Sequence, residues 1–184
     1  MQEVHPTDSD RTRRFEERIL PHLDASYNLA RWLLHSDEGA EDVVQEAFLR
    51  AYRFFDGYRG GDSRAWLLTI VRNTCYSWLR RHRVGDLLDS LDDELHPDED
   101  VASNPEKLLE RLNVEQSVKR ALEKLPADFR EVIVLRELEG LSYKEIAECA
   151  NLPIGTVMSR LARARRQLHK YLAGEQKGSV HHEL

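Results

Sequence analysis

Arg160, Arg163 and Arg166 recur at steps of three in a segment that holds four Arg, one Lys and no acid between Gly155 and Tyr171. Thr156 and Ser159 share their face. Guanidinium forks and hydroxyls are the groups that bind phosphate oxygens and base edges. A solvated helix surface can look the same, so the surroundings must decide. Behind the row, Ile154, Val157, Leu161, Ala164 and Leu168 form an apolar stripe at helical spacing. Ahead of it, Asn151-Leu152-Pro153 breaks the chain. Asn tolerates a left-handed backbone, and Pro153 suits the first turn of a new helix, where its missing N–H costs nothing. The preceding segment, SYKEIAECA, puts Ile146, Ala147 and Ala150 on one face, with Ala147 small enough to let another helix cross closely. An anchored helix, a tight turn and a basic second helix make a helix-turn-helix, a pattern that lays its second helix in a major groove.

Two further rows carry chemistry. In RAWLLTIVRNTCYSWLRRHR, Trp66, Leu67, Ile70, Val71, Thr74 and Trp78 supply a buried side, and Arg64, Arg72, Asn73, Tyr76, Arg80 and Arg81 can face outward. Cations beside aromatic rings suit single-stranded nucleic acid. The amide of Asn73 both donates and accepts hydrogen bonds. Trp66 and Trp78 read first as core residues rather than as stacking platforms. In EDVVQEAFLRAYRFF, Val43, Val44, Ala47, Phe48, Ala51, Tyr52 and Phe55 cover more than half the circumference, so this helix is central to a bundle. Its remaining face shows Asp42, Gln45, Glu46, Leu49, Arg50 and Arg53, which would serve either a basic partner or plain solvent.

Helices must position all three rows. From Thr12, apolar residues recur at helical spacing through Leu34, with Pro21 a break or kink. Ser36-Asp37-Glu38-Gly39 reads as a turn with acids in the next first turn. Gly57 to Ser63 is a loop in which Asp62 or Ser63 is the candidate N-cap. Helical patterning resumes at Glu106 and runs through Leu125, and a further helix starts at Pro126-Ala127-Asp128 and ends at Gly140. No stretch alternates with period two for long enough to propose a strand. The expectation is an all-α protein of two small helical domains joined by an acidic flexible linker. Its segments are a disordered 1–11, a first domain over 12–83, the linker over 84–105, a helix-turn-helix domain over 106–173 and a tail over 174–184.

Charge supports the division. The 184 residues are 41% hydrophobic and 33% charged, with a net charge of −6. Residues 1–83 carry 13 basic and 13 acidic groups, 84–105 carry eight acids and no Lys or Arg, and 106–184 carry 14 basic and 12 acidic groups. The acidity thus belongs to the middle, and both flanks keep basic surfaces. No apolar run approaches the ~20 residues of a membrane span, and the N-terminus lacks a signal peptide's apolar core, so a cytoplasmic protein is expected. Cys75 and Cys149 read as buried thiols rather than a disulfide. The eight His form no zinc spacing with them.

Taken together, DVVQEAFLRAYR, then YRGGDSRAWLLTIVRNTCYSWLRRHR, then LPADFREVIVLRELEGLSYKEIAECANLPIGTVMSRLARARRQL resemble, in order and separation, the segments of bacterial sigma factors of the small extracytoplasmic-function group. The resemblance covers nearly the whole chain. It implies a dissociable, non-catalytic RNA polymerase subunit that needs no cofactor or metal. Asp42, Gln45 and Glu46 match positions that contact the β′ clamp of core polymerase, and the β flap is a further implied contact. Asp62, Ser63, Arg64, Arg72, Asn73 and Arg80 match the −10 DNA surface, with Asn73 and the Gly60–Arg64 loop capturing a flipped base. Thr156, Ser159, Arg160, Arg163 and Arg166 match the −35 surface. The acidic linker would run near the nascent RNA path, as a nucleic-acid mimic or simply as a solvated tether. An anti-sigma factor is the implied regulatory partner.

One position departs from the pattern. Many relatives carry Arg where this chain has Met158, and Met cannot make the bidentate guanine contact, so the −35 preference is expected to differ. Two other readings compete. A repressor or activator would normally carry a sensor domain, for which residues 12–83 show no ligand-pocket or phospho-acceptor pattern. A sigma mimic that only binds a partner would be expected to lose the basic face that this chain keeps. No nucleophile–base pair, Gly-rich phosphate loop or metal-ligand cluster suggests an enzyme.

Overall fold

The computed structural model describes residues 8–82 and 105–179, with side chains over 9–82 and 114–173. Among them all regular structure is helical. The first set comprises α1 (Asp8–Ile19), α2 (Leu23–Leu34), α3 (Asp37–Phe54) and α4 (Ser63–His82). The second comprises α5 (Pro105–Glu123), α6 (Ala127–Ile133), α7 (Tyr143–Ala150) and α8 (Ile154–Ser179). The acidic segment expected to link them lies, Pro105 apart, outside the described residues.

Pro21 ends α1 as expected, in a 3-10 turn over Leu20–His22. Ser36 then caps α3, its hydroxyl accepting from the Gly39 amide at 3.0 Å. Val43, Val44, Ala47 and Ala51 are buried along α3, which packs against both α2 and α4. Phe15 closes one end of this bundle, edge-on to Phe48, Tyr52 and Phe55 at centroid distances of 6.4, 5.1 and 5.3 Å. Trp66 joins Phe55 and Tyr58 in the same aromatic layer, and Trp78 lies against Gly39, where a Cβ would meet the indole at 3.0 Å. Both tryptophans are therefore packing residues.

Four expectations need correction. The first helix begins at Asp8, not Thr12, because Arg11 has partners: it donates to the Tyr52 carbonyl at 2.6 Å and pairs with Asp56 at 3.1 Å. The last helix continues to Ser179, beyond the boundary expected at residue 173. Ile154, assigned to the buried stripe of α8, is 50% exposed, because it projects past the end of the core. Arg72, expected to face outward, lies between the two sets of helices.

A fifth feature had no signal in the sequence. The helix begun at Ala127 widens into a π-helical turn over Val134–Leu138, which ends at Glu139 with its amide bonded to the Val134 carbonyl at 2.9 Å. The chain reverses at Gly140, φ +66°, a backbone open to glycine without strain. The two sets pack on each other, α4 against α7 and α2 against α6. Cys75 and Cys149 are buried free thiols, pushed by that burial up to about 12 and about 11, and so stay protonated and inert.

Candidate nucleic-acid interface

The helix-turn-helix forms as the spacing predicts. Ser142 and Glu145 make a reciprocal capping box that starts α7. Asn151 adopts the left-handed conformation at φ 52° and ends it. The Pro153 carbonyl then accepts from Thr156 and Val157 at 2.9 and 3.1 Å, opening α8. Val157, Leu161 and Ala164 bury the inner side of α8, which packs on α6 and α7. Ser159, Arg163 and Arg166 are exposed on the outer side. Among the described residues neither Arg163 nor Arg166 enters an ion pair, and with Phe129, Lys170 and Tyr171 they line an open depression of about 340 Å³. Arg160 differs from them: it is half-buried and held by Asp128 at 2.8 Å. Thr156 is half-buried too, its carbonyl accepting from the Ser159 hydroxyl at 3.0 Å.

The α4 row is arranged otherwise. Asp62 rather than Ser63 is the cap, its Oδ1 accepting from the Arg64 and Ala65 amides at 2.8 and 3.1 Å. Ser63 bonds His22 Nε2 at 2.9 Å. Arg64 donates to Glu139, and Arg72 to Glu131, both acids of the second set of helices. Those carboxylates are 2% and 1% exposed, and Glu131 also accepts from the Tyr76 hydroxyl at 3.2 Å. Arg64 and Arg72 therefore cannot hold phosphates while the two sets are packed. Asn73 and Arg80 stay exposed, Asn73 Oδ1 accepting from Arg72 at 3.3 Å and Arg80 donating to Ser77 at 3.0 Å.

On α3, Asp42 and Gln45 are exposed, whereas Glu46 is half-covered by Arg50 and Arg81. Burial would raise the Glu46 carboxyl, but these two guanidiniums outweigh it and hold it below the usual range. The same face carries Leu49, 72% exposed, one turn beyond Gln45 and Glu46. A large apolar side chain at the middle of a polar row is the anatomy of a docking surface.

Comparison with known proteins decides what these surfaces belong to. Residues 19–84 match the family model of sigma-70 region 2, and residues 115–168 match that of sigma-70 region 4. The chain is 43% identical to the ECF RNA polymerase sigma-E factor of Escherichia coli, over 69% of this chain and 70% of that protein. The chain belongs to the extracytoplasmic-function sigma factors of the sigma-70 family.

Other members of this sigma family agree. Identity is 36% to the RNA polymerase sigma-H factor of Pseudomonas aeruginosa, over 87% of this chain and 86% of that one. It is also 36% to the ECF sigma factor SigE of Mycolicibacterium smegmatis, of which the chain spans 62%. Among solved structures, the sigma factor RpoE bound to the anti-sigma factor NepR from Bartonella quintana matches with a TM-score of 0.72. That match has 32% identity and covers 88% of this chain and 98% of the other. CnrH in complex with the cytosolic domain of CnrY matches at 0.60 and 27% identity, over 90% and 92% of the two chains.

Within this sigma factor, three residues of consequence were not singled out as site residues from the sequence. Leu49 was visible on the outward face of α3 and needed only to be weighed as an apolar anchor. Glu131 and Glu139 gave no sign, since an acid in a helical pattern reads as solvated until its partner from another domain is known.

Proposed function

We propose that this sigma factor is the promoter-selecting subunit of a bacterial RNA polymerase, dissociable and without catalysis of its own, acting in the cytoplasm. The observation that carries the reading is the exposed Arg163–Arg166 face, without an ion pair among the described residues, on the second helix of a helix-turn-helix, in one chain with an exposed Asp42–Gln45–Leu49 face. The first suits the major groove of a −35 element, with Thr156, Ser159 and Arg160 beside it. The second suits the β′ clamp of the core enzyme, with Glu46 at its margin, while the β flap takes the second domain. Helices α1 to α4 form the clamp and −10 unit, α5 to α8 the −35 unit, and the acidic segment the connection between them.

Contact with −10 DNA requires the packed sets of helices to part. Once parted, Arg64, Arg72 and Arg80 hold the phosphates of one displaced strand, and Asn73 bonds an extruded base. Asp62 and Ser63 shape the loop that borders that base. No helix of the described residues is long and apolar enough to cross a membrane. The two solved relatives bound to anti-sigma factors support an anti-sigma partner here. An apolar crevice of about 310 Å³ between Trp32 and His35 of α2 and Val118 and Leu122 of α5 joins the two sets. A partner seated in it would hold the closed form.

The test is transcription in vitro with core polymerase and the full chain. Initiation from a promoter that core polymerase alone ignores is expected, and its absence on every promoter of a genomic library would refute the reading. Leu49→Asp should weaken core binding at least tenfold, from the ~1.5–3 kcal/mol of burying a leucine. The triple alanine variant of Asp42, Gln45 and Glu46 should weaken it as well. Unchanged affinity in both variants would move the polymerase contact away from α3.

A further inference from the structure

We infer that Ile154 and Met158 read thymine methyl groups, so that this sigma factor's −35 preference rests on apolar contact at the leading end of α8. The inference deepens the −35 reading given above and depends on it. Ile154 and Met158 are 50% and 52% exposed. They stand four residues apart, so their side chains adjoin over the first two turns of α8. Single exposed apolar residues are common and need no explanation. An adjoining pair at the entry of the second helix of a helix-turn-helix is different, because the first turns of that helix are the ones placed against base edges.

The neighbours narrow what this end can read. Asp128 holds Arg160 at 2.8 Å and leaves its side chain only 24% exposed. Ser159 spends its hydroxyl proton on the Thr156 carbonyl. The free cations Arg163 and Arg166 lie more than a turn further on, where they supply attraction to phosphates and guanines. From residue 154 to residue 158 no charged side chain occurs. Guanine offers O6 and N7 acceptors that need a donor, and a thioether or an alkyl chain has none to give. The one apolar feature of the major groove is the C5-methyl of thymine. Met is also suited to such a target, since its unbranched, polarizable side chain adapts to a small methyl surface.

The probe is the set of duplexes that the full chain selects from a randomised pool, remade with deoxyuridine at one thymine at a time. Deoxyuridine pairs as thymine does and lacks only the methyl. At one or two positions affinity should fall about fourfold, the value of one buried methyl. Ile154→Ala or Met158→Ala should abolish that loss at one of those positions, and Met158→Arg should replace the thymine there by guanine in a new selection. Selective binding that tolerates deoxyuridine everywhere would overturn the inference and leave the −35 reading standing. Failure to select any duplex would overturn both.

Discussion

The two surfaces proposed to bind DNA are built from the same side chains and delivered in opposite states. On α8, Arg163 and Arg166 stand free of ion pairs among the described residues, on a helix fixed from behind by Val157, Leu161 and Ala164. On α4, Arg64 and Arg72 are occupied by Glu139 and Glu131, acids of the second set of helices that are 2% and 1% exposed in the packed chain. Duplex readout needs only a preformed helix, because base edges are already displayed in the groove. On the proposed reading, capture of single strand comes after melting, so the cations of α4 can stay engaged until then. The same residue type can therefore be a standing contact on one helix and a conditional one on another. What separates them is the carboxylate opposite.

The most drastic way to break this contrast is Glu131→Ala. It strips Arg72, whose side chain is 17% exposed, and the Tyr76 hydroxyl of their shared acceptor. Removing one partner of a buried ion pair costs roughly 3–5 kcal/mol when nothing can relax. Here the two sets of helices can part and rehydrate Arg72, so the expected result is a larger radius of gyration with each set still helical. Binding to a single-stranded −10 oligonucleotide should then exceed that of the unaltered chain. Small-angle scattering and a fluorescence titration would check it. A variant as compact as the parent and no better at binding the oligonucleotide would mean that Glu131 does not restrain α4.

A smaller change sharpens the contrast from the other side. Arg163→Ala is expected to weaken duplex binding by about 1–3 kcal/mol at one guanine if the side chain reads a base. If the arginine only touches phosphate, the loss should be uniform over sequences and the salt slope should fall by about 1. Arg72→Ala should leave duplex affinity where it was, since Arg72 faces Glu131 in the free chain. Equal losses from the two variants would erase the distinction between the surfaces.

Much of this was legible without coordinates, for local reasons. The break at Pro21, the left-handed Asn151 and the Val157, Leu161 and Ala164 part of the α8 stripe are each dictated within a few residues, and each stands where the spacing puts it. The turn read over Ser36–Gly39, by contrast, shrinks to a Ser36 cap with Asp37 to Gly39 already helical. What was not legible depends on contacts distant in sequence. Arg72 in an amphipathic pattern belongs outside, and only Glu131, 59 residues away, turns it inward. Ile154 fits the apolar period of α8, yet the core ends one turn short of it. The π-helical turn that ends at Glu139 has no compositional mark, because VLREL is ordinary helix-forming sequence.

Acidity is the mildest way to disturb the closed arrangement. His35 ends α2 in a left-handed conformation, φ 56°, its amide donating to the Arg31 carbonyl at 2.9 Å. Burial and then the charge of Arg130 from α6 hold its ring below the usual value of 6.5. Burial and then Arg64 do the same for His22, against a weaker upward pull from Asp62. Both rings thus stay neutral in the folded chain at pH values where free imidazole already takes a proton. As pH falls below 6.5 the unfolded chain binds more protons than the folded one, so stability is complete above that value and declines on acidification. The urea midpoint should therefore drop between about pH 8 and about pH 5.5. His35→Asn keeps a residue that tolerates the left-handed backbone and removes the titrating ring, so the drop should shrink, and adding His22→Gln should shrink it further. A slope that the double variant leaves unchanged would place the acid sensitivity in the carboxylates instead, with the two imidazoles as bystanders at the boundary of the α4 surface.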